Sequence, residues 1–440
     1  MKTLAAPSEI VHALYCGFFE RGLRYFFPSA RLERTGTRAE ASPALSIHSR
    51  TDGALELEWM DAHWRFEQPG RPFGEHQLRL LSAIGGVLSV RYRSIFFAVS
   101  AASTSALFEG LAEDRYVSAF LGHFAYLDDG ALPGGRDVVA DAIEVLRESS
   151  LITYENRRIS TGVLLCGAPG AEAPPEGALG YTKELLSVKS FHRLCDGLKT
   201  VFLVTPDGML TDLVDIARWS VEHDGTPLPA PGPKRYTAHC RATLHQGNIC
   251  LVLSPNGEIK VFAEGAQVFS FMEGRWRLTD AAEKYHAWQR AVRNAALAER
   301  LFTVALNLAE HRRGALFVVL DDARSAAAIV SADDLLANDA AGTDKARTHY
   351  LLRGRRLLDL EPSLIESIAR MDGGIVLDRA SALLAFGAIL HAAPGANPAH
   401  ASEGGRTTAA LAASRHGSVL KVSEDGQVAF YRDGVEVWEI

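Results

Sequence analysis

Apolar residues recur at steps of three and four in several stretches of this chain. Ile10, Leu14, Phe18 and Leu23 are spaced as one face of an amphipathic helix. Leu81, Ile84 and Leu88 repeat the spacing, as do Leu301, Val304 and Leu308 much later. Each of these last two helices is followed by an arginine and then an unbroken apolar run. The runs, Ile95-Phe96-Phe97-Ala98-Val99 after Arg93 and Ala315-Leu316-Phe317-Val318-Val319 after Arg313, suit buried strands. Two further short strands are predicted at 44–48 and 54–59, joined at Asp52-Gly53. Asp207-Gly208, Asn256-Gly257 and Asp425-Gly426 are hairpin turn signals, because these pairs tolerate the positive φ angles of tight turns. Helices alternating with short apolar strands predict an α/β fold, a mixed β-sheet flanked by helices.

The pattern occurs twice. Besides the helix–Arg–strand pair, Gly162-Val-Leu-Leu-Cys-Gly-Ala-Pro-Gly-Ala171 resembles Gly387-Ala-Ile-Leu-His-Ala-Ala-Pro-Gly-Ala396. The hairpin from Gly257 through Gly265 lines up without a gap on that from Gly426 through Gly434. Three segments in one order predict an internal duplication in tandem. The expected organisation is a lead segment at 1–75, a first copy at 76–270 and a second at 287–440. The unequal spacing of the three pairs places an insert of 172–235 in the first copy. The piece from Thr200 to Asp215 within it also resembles the stretch from Ser418 to Asp433, as a third repeat or an ordinary strand–turn–strand.

Composition narrows the function classes. The chain has 440 residues, 47% hydrophobic and 22% charged, ordinary for globular domains. A formal net charge of −7 gives no reason to expect a nucleic acid polymer as partner. Five cysteines, Cys16, Cys166, Cys195, Cys240 and Cys250, with no CxxC spacing, argue against a zinc site and a disulfide framework. The expected compartment is cytoplasmic. No secretory signal and no membrane span are expected.

The second copy resembles the diadenylate cyclase domain family, the nucleotide-binding domain of DisA-type proteins, over 297–440. Arg313-Gly314-Ala315-Leu316-Phe317-Val318-Val319 begins the likeness. Asp372-Gly373-Gly374 stands where the family has Asp-Gly-Ala before a strand. Gly404-Gly405-Arg406-Thr407-Thr408-Ala409-Ala410 stands where it has Gly-Thr-Arg-His-Arg-Ala-Ala. Val422-Ser423-Glu424-Asp425-Gly426 is similar to its Val-Ser-Glu-Glu hairpin. The first copy resembles the family more faintly. Its His239-Cys240-Arg241 matches the Arg-His-Arg segment, Glu148-Ser149-Ser150 the Asp-Gly-Ala position, and the stretch from Asn156 to Gly162 the strand turn after it. Tandem degenerate domains of this kind resemble the DACNV-type sensor proteins of bacterial nucleotide signalling.

The resemblance implies a ligand site of Asp372, Gly373, Gly374, Gly405, Arg406, Thr407 and Thr408, with His239 and Arg241 from the first copy. The implied ligand is a nucleotide or cyclic dinucleotide, read out by an effector protein. Asp372 would hold Mg or Mn where ATP is bound or condensed. Thr407 and Thr408 replace a histidine and an arginine. They keep hydrogen bonding to phosphate but lose its charge, so transition-state stabilisation suffers more than binding does. This favours a nucleotide sensor with no catalytic residues. The alternatives are an active cyclase using Asp372 and Arg406, with Mg or Mn, and a protein-interaction scaffold. Without the resemblance, the Asp372 motif is a turn opening a strand and Arg406 a surface residue. His239 and Cys240 would be buried structural residues, and Asp321-Asp322 a solvated loop or a metal site.

Overall fold

The structure, a computed structural model, describes residues 9–50, 53–68, 73–96, 108, 110–122, 137–154, 156–168, 174, 176–188, 191–223, 226–244, 247–338, 346–391 and 405–440. The chain divides into two compact units. Unit 1 comprises 1–226 and 238–278, and unit 2 comprises 227–237 and 279–440.

Unit 1 begins with α1 (Glu9–Phe26), the long hairpin β1 (Arg31–Ser49) and β2 (Leu55–Glu67), then α2 (Glu75–Phe96), α3 (Ala112–Leu121) and α4 (Val138–Leu151). A two-residue ladder, β3 (Thr153–Tyr154) with β4 (Arg157–Arg158), leads into β5 (Thr161–Leu165). Then come α5 (Phe191–Leu194), β6 (Thr200–Val204), β7 (Leu210–Asp215), α6 (Ile216–Trp219) and α7 (Thr237–Ala242). The strands β8 (Ile249–Leu253), β9 (Ile259–Ala263), β10 (Ala266–Met272) and β11 (Arg275–Leu278) close the unit. Its seven-stranded sheet runs β11-β10-β9-β8-β5-β6-β7.

Unit 2 has α8 (Ala281–Val292), α9 (Ala295–Glu310), β12 (Ala315–Leu320), α10 (Ala326–Ile329), α11 (Pro362–Ala369), β13 (Gly374–Asp378) and β14 (Leu383–Ala388). It ends with α12 (Gly405–Ala413), β15 (Gly417–Val422), β16 (Val428–Arg432) and β17 (Val435–Glu439). Its six-stranded sheet runs β14-β13-β12-β15-β16-β17.

The two sheets repeat one topology. Within each, the first strand pairs parallel with the second (β5 with β6, β12 with β13) and antiparallel with the fourth (β8, β15). The remaining neighbours are antiparallel hairpins in both, with β11 added at one edge of unit 1. Both sheets are therefore mixed, flanked by helices. Topology matches β9 with β16 and β10 with β17, the hairpin similarity legible in the sequence. Elsewhere it matches differently. β5 corresponds to β12, although the sequence similarity set the residues from Gly162 against those from Gly387. β6 and β7, inside the stretch 172–235, are an inner and an edge strand of the sheet, with β13 and β14 as counterparts. They form an ordinary hairpin in the sheet and do not repeat the Ser418–Asp433 stretch. Ile95 and Phe96 close α2 instead of opening a strand, and 97–99 lie outside the described residues.

The lead segment joins the first core. Tyr15, Cys16, Phe19 and Leu23 of α1 belong to one buried cluster with Leu57 and Trp59 of β2, Ile84 and Leu88 of α2, and Val163 and Val261 of the sheet. The helix was expected to bury Ile10, Leu14 and Phe18, but these are 80%, 54% and 36% exposed. The aromatic and cysteine side chains one step round the helix form the buried stripe instead. The strands predicted at 44–48 and 54–59 are parts of the longer hairpin β1–β2. All three Gly-containing turns hold positive φ at Gly208 (84°), Gly257 (82°) and Gly426 (90°), as their hairpins require.

In unit 2, α9 presents Leu297, Leu301, Val304 and Leu308 at helical spacing to the inner face of the sheet. The Asn294 side chain caps the helix, accepting from the Leu297 amide at 3.1 Å. Trp288 of α8 is fully buried, edge-on to Phe430 at 5.3 Å, and donates its indole N–H to the Ala298 carbonyl at 3.0 Å. We expect Trp288→Ala to cost unit 2 about 3–5 kcal/mol through the cavity it leaves and the lost hydrogen bond to Ala298. Trp288→Phe should cost less. Urea unfolding read by near-UV circular dichroism checks both, and an unchanged midpoint in the alanine variant would contradict this packing.

Candidate functional site

The parallel pair β12–β13 fixes the site. Phe317 lies opposite Ile375. Extending that register three residues back sets Gly314 beside Asp372, at the end of the sheet where both strands begin. The helix α12 lies over the same end. Its Ala410 and Ala413 are buried against Leu316, Val318, Val419 and Tyr431, and small side chains let the helix approach the sheet closely. The first turn of α12 supplies Gly405, Arg406, Thr407 and Thr408. The Arg406 guanidinium passes over Gly314, where a Cβ would collide with it. Arg406 Nη1 donates to Glu424 Oε1 at 2.9 Å, in the β15–β16 turn. That pair is 41% and 70% exposed, so it is weak and exchangeable.

Asp372 is exposed, and its Oδ1 accepts from the Gly373 amide at 3.0 Å. Its other oxygen has no partner among the described residues. Gly373 has φ 101°, and a Cβ there would lie 2.5 Å from the Ala388 carbonyl oxygen. Only glycine fits. Gly374 is buried, and a Cβ there would lie 3.4 Å from the Leu316 carbonyl oxygen, an ordinary contact. Unit 2 thus brings the predicted Asp372, Gly373, Gly374, Gly405, Arg406, Thr407 and Thr408 to one end of one sheet.

A residue the sequence reasoning missed joins them. Lys421 Nζ of β15 donates to Thr407 Oγ1 at 3.0 Å and lies 5.5 Å from the Tyr431 ring. Its sequence signal was a single lysine inside an apolar strand.

In unit 1 the place before the second strand is taken by Asp196-Gly197. Glu148 lies in α4, ahead of the first strand. Burial pushes the Asp196 carboxyl up, but amides from Thr200, Lys199 and Leu198 outweigh it and hold it below the usual carboxylate range. Those amides donate to Asp196 Oδ1 at 3.0, 2.7 and 2.8 Å. His239 of α7 is fully buried, and its Nε2 is bonded to the Gly197 carbonyl at 2.9 Å. Arg241 is half-buried on the same helix. At the corresponding place in unit 1 the exposed Asp196 thus accepts three amides of its own turn through one oxygen, whereas Asp372 accepts one. The arginine reaching the hairpin turn here is Arg158, which donates to the Asn256 carbonyl at 2.9 Å.

No cluster of three or more His, Cys, Asp or Glu side chains suited to a metal occurs among the described residues. Asp372 offers a single carboxylate. Mg is commonly held by one or two carboxylates plus phosphate oxygens, so this donor fits such an ion only alongside a bound nucleotide. Asp321 and Asp322 are taken. Asp321 accepts from Arg379 at 2.6 Å and from Arg432 Nη1 and Nη2 at 2.9 and 2.6 Å, and Asp322 pairs with Arg324. Burial pushes the Asp321 carboxyl up, but the bonded Arg432 and the nearby Arg379 hold it below the usual range. No described helix is long and apolar enough to cross a membrane.

No family model matches the chain, and no curated protein matches its sequence. Solved structures show partial likeness. A hypothetical membrane spanning protein from Bacillus cereus matches with 22% identity and TM-score 0.23, over 32% of this chain and 61% of that one. The match thus spans less than two thirds of that protein. A double mutant of DacA from Staphylococcus aureus matches with 16% identity and TM-score 0.20, over 34% of this chain and 87% of that one.

Two outcomes follow from the geometry. Gly373→Ala should lower the thermal midpoint, costing about 1–3 kcal/mol from its positive φ and the backbone clash. Gly314→Ala should leave stability nearly unchanged, because only the flexible end of Arg406 must move. Equal losses in both would contradict the site as described. A carboxyl whose pKa is lower folded than unfolded stabilises above its unfolded value, and that stability fades as pH falls through the folded value. Asp321→Asn should therefore destabilise at neutral pH by about 1 kcal/mol or less, given its exposure, and match the parent in strong acid. Urea titrations at both pH values check this.

Proposed function

We propose that unit 2 binds the phosphates of a nucleotide or cyclic dinucleotide at the end of its sheet where Asp372, Arg406 and the first turn of α12 meet, and that the chain serves as a nucleotide sensor. The observation that carries this is the convergence of Arg406, Thr407 and Thr408 with the Asp372-Gly373-Gly374 turn. The first amides of a helix have no intrahelical partner and favour anions. Arg406 offers a planar guanidinium suited to bidentate phosphate contact, and an incoming phosphate need displace only the exposed Glu424.

The sensor reading rests on what stands beside Arg406. Condensing two nucleotides places negative charge on the phosphate under attack, which fixed cationic donors must meet. Thr407 and Thr408 offer neutral hydroxyls there. A hydrogen bond to a charged group contributes about 1.5–3 kcal/mol, so each donor weakened costs about ten- to a hundredfold. Binding survives such a loss better than turnover does. An effector protein would read out the bound state.

We expect calorimetry to detect binding of ATP or cyclic di-AMP to the full chain, weakened about tenfold or more in Arg406→Ala. Incubation with ATP and Mn or Mg should yield no cyclic dinucleotide by chromatography. Metal-dependent product that disappears in Asp372→Ala would establish the cyclase instead. Folded protein that binds neither ligand would sink the nucleotide reading.

A further inference from the structure

β15 is an apolar strand with one exception. Gly417, Ser418, Val419, Leu420 and Val422 are buried, and Lys421 stands among them. Lys421 is opposite Leu316 of β12 and Ala429 of β16, and shares its face of the sheet with Val419. Those three neighbours belong to the buried cluster under α12. Strand alternation calls for an apolar side chain at this position. An ammonium withdrawn from water is costly unless it is paired. Lys421 meets only the neutral Thr407 hydroxyl at 3.0 Å and the face of Tyr431, with no carboxylate in ion-pair reach among the described residues.

Lys421 is half-buried and pairs with no carboxylate among the described residues, and its surroundings aim its charge at one place. Thr407 is next to Arg406 in the first turn of α12. Lys421 and Arg406 thus bring two cations to the turn whose amides have no intrahelical partners. We propose that Lys421 is a phosphate-binding residue of unit 2, supplying there the positive charge that Thr407 and Thr408 lack. This rests on the nucleotide reading above, and narrows its ligand to one presenting at least two phosphate charges to Lys421 and Arg406 together. The Thr407 hydroxyl holds the flexible lysine stem in place, so less rotamer freedom is lost on binding.

The test compares the full chain with Lys421→Met and Lys421→Arg, using ATP, cyclic di-AMP, inorganic tripolyphosphate and adenosine as probes in calorimetry. Lys421→Met should weaken ATP and tripolyphosphate about ten- to a hundredfold and flatten their salt dependence. Adenosine binding and the thermal midpoint should not fall, since methionine suits the apolar face. Lys421→Arg should retain most of the affinity. If Lys421→Met binds ATP and tripolyphosphate as the parent does, the assignment is overturned and the nucleotide reading survives. If the parent binds tripolyphosphate through Lys421 but neither ATP nor cyclic di-AMP, the phosphate site stands and the nucleotide reading fails. A folded parent that binds none of these overturns both.

Discussion

The parallel pairing of β12 with β13 is the constraint from which the rest of unit 2 follows. Two parallel neighbours must begin at the same end of a sheet, and a crossover must join them. Here the crossover includes α10 and α11. Gly314 and Asp372 therefore arrive side by side. β15 then pairs antiparallel with β12, so it ends where β12 begins, and its Lys421 and the following turn with Glu424 reach the same edge. α12 precedes β15 and runs back over the sheet, setting Arg406 and Thr407 above Gly314. Residues far apart in sequence converge because one strand has one parallel and one antiparallel neighbour.

The same pairing occurs in unit 1 with a different result. There the carboxylate before the second strand turns onto its own backbone, and a buried histidine bonds the neighbouring carbonyl. The Asp196 carboxylate is exposed yet held by three amides through one oxygen, and His239 is fully buried beside it. In unit 2 the equivalent groups are satisfied only in part or by an exposed partner. One topology thus carries a carboxylate held by three amides in one unit and by one in the other. The difference lies in a few residues at one sheet end.

Much of this was legible in the sequence where local physics decides. The Asn-Gly and Asp-Gly turns mark their hairpins because few other pairs accept those backbone angles. The apolar run from Ala315 reads as a strand because all six residues of β12 are buried. Gly373 signals a special backbone conformation. Other features depend on what packs against what. The helix–Arg–strand pattern at Arg93 is generic, and Ile95 and Phe96 serve equally well as the end of a long helix. On α1 the apolar spacing of Ile10 and Leu14 is real, but the larger aromatic surface of Tyr15 and Phe19 takes the core. Asp196 was passed over for Glu148 because strand order, which places it, is not a local property. Lys421 was missed because one lysine in a strand ordinarily points to solvent.

Amide hydrogen exchange of the full chain, with and without saturating ATP or cyclic di-AMP, tests the central claim most directly. The account predicts slowed exchange in three stretches far apart in sequence, 372–374, 405–408 and 419–424, with none at 196–200 or 237–242. Ligand-induced protection in unit 1 alone, or none in these three stretches at saturation, would contradict it.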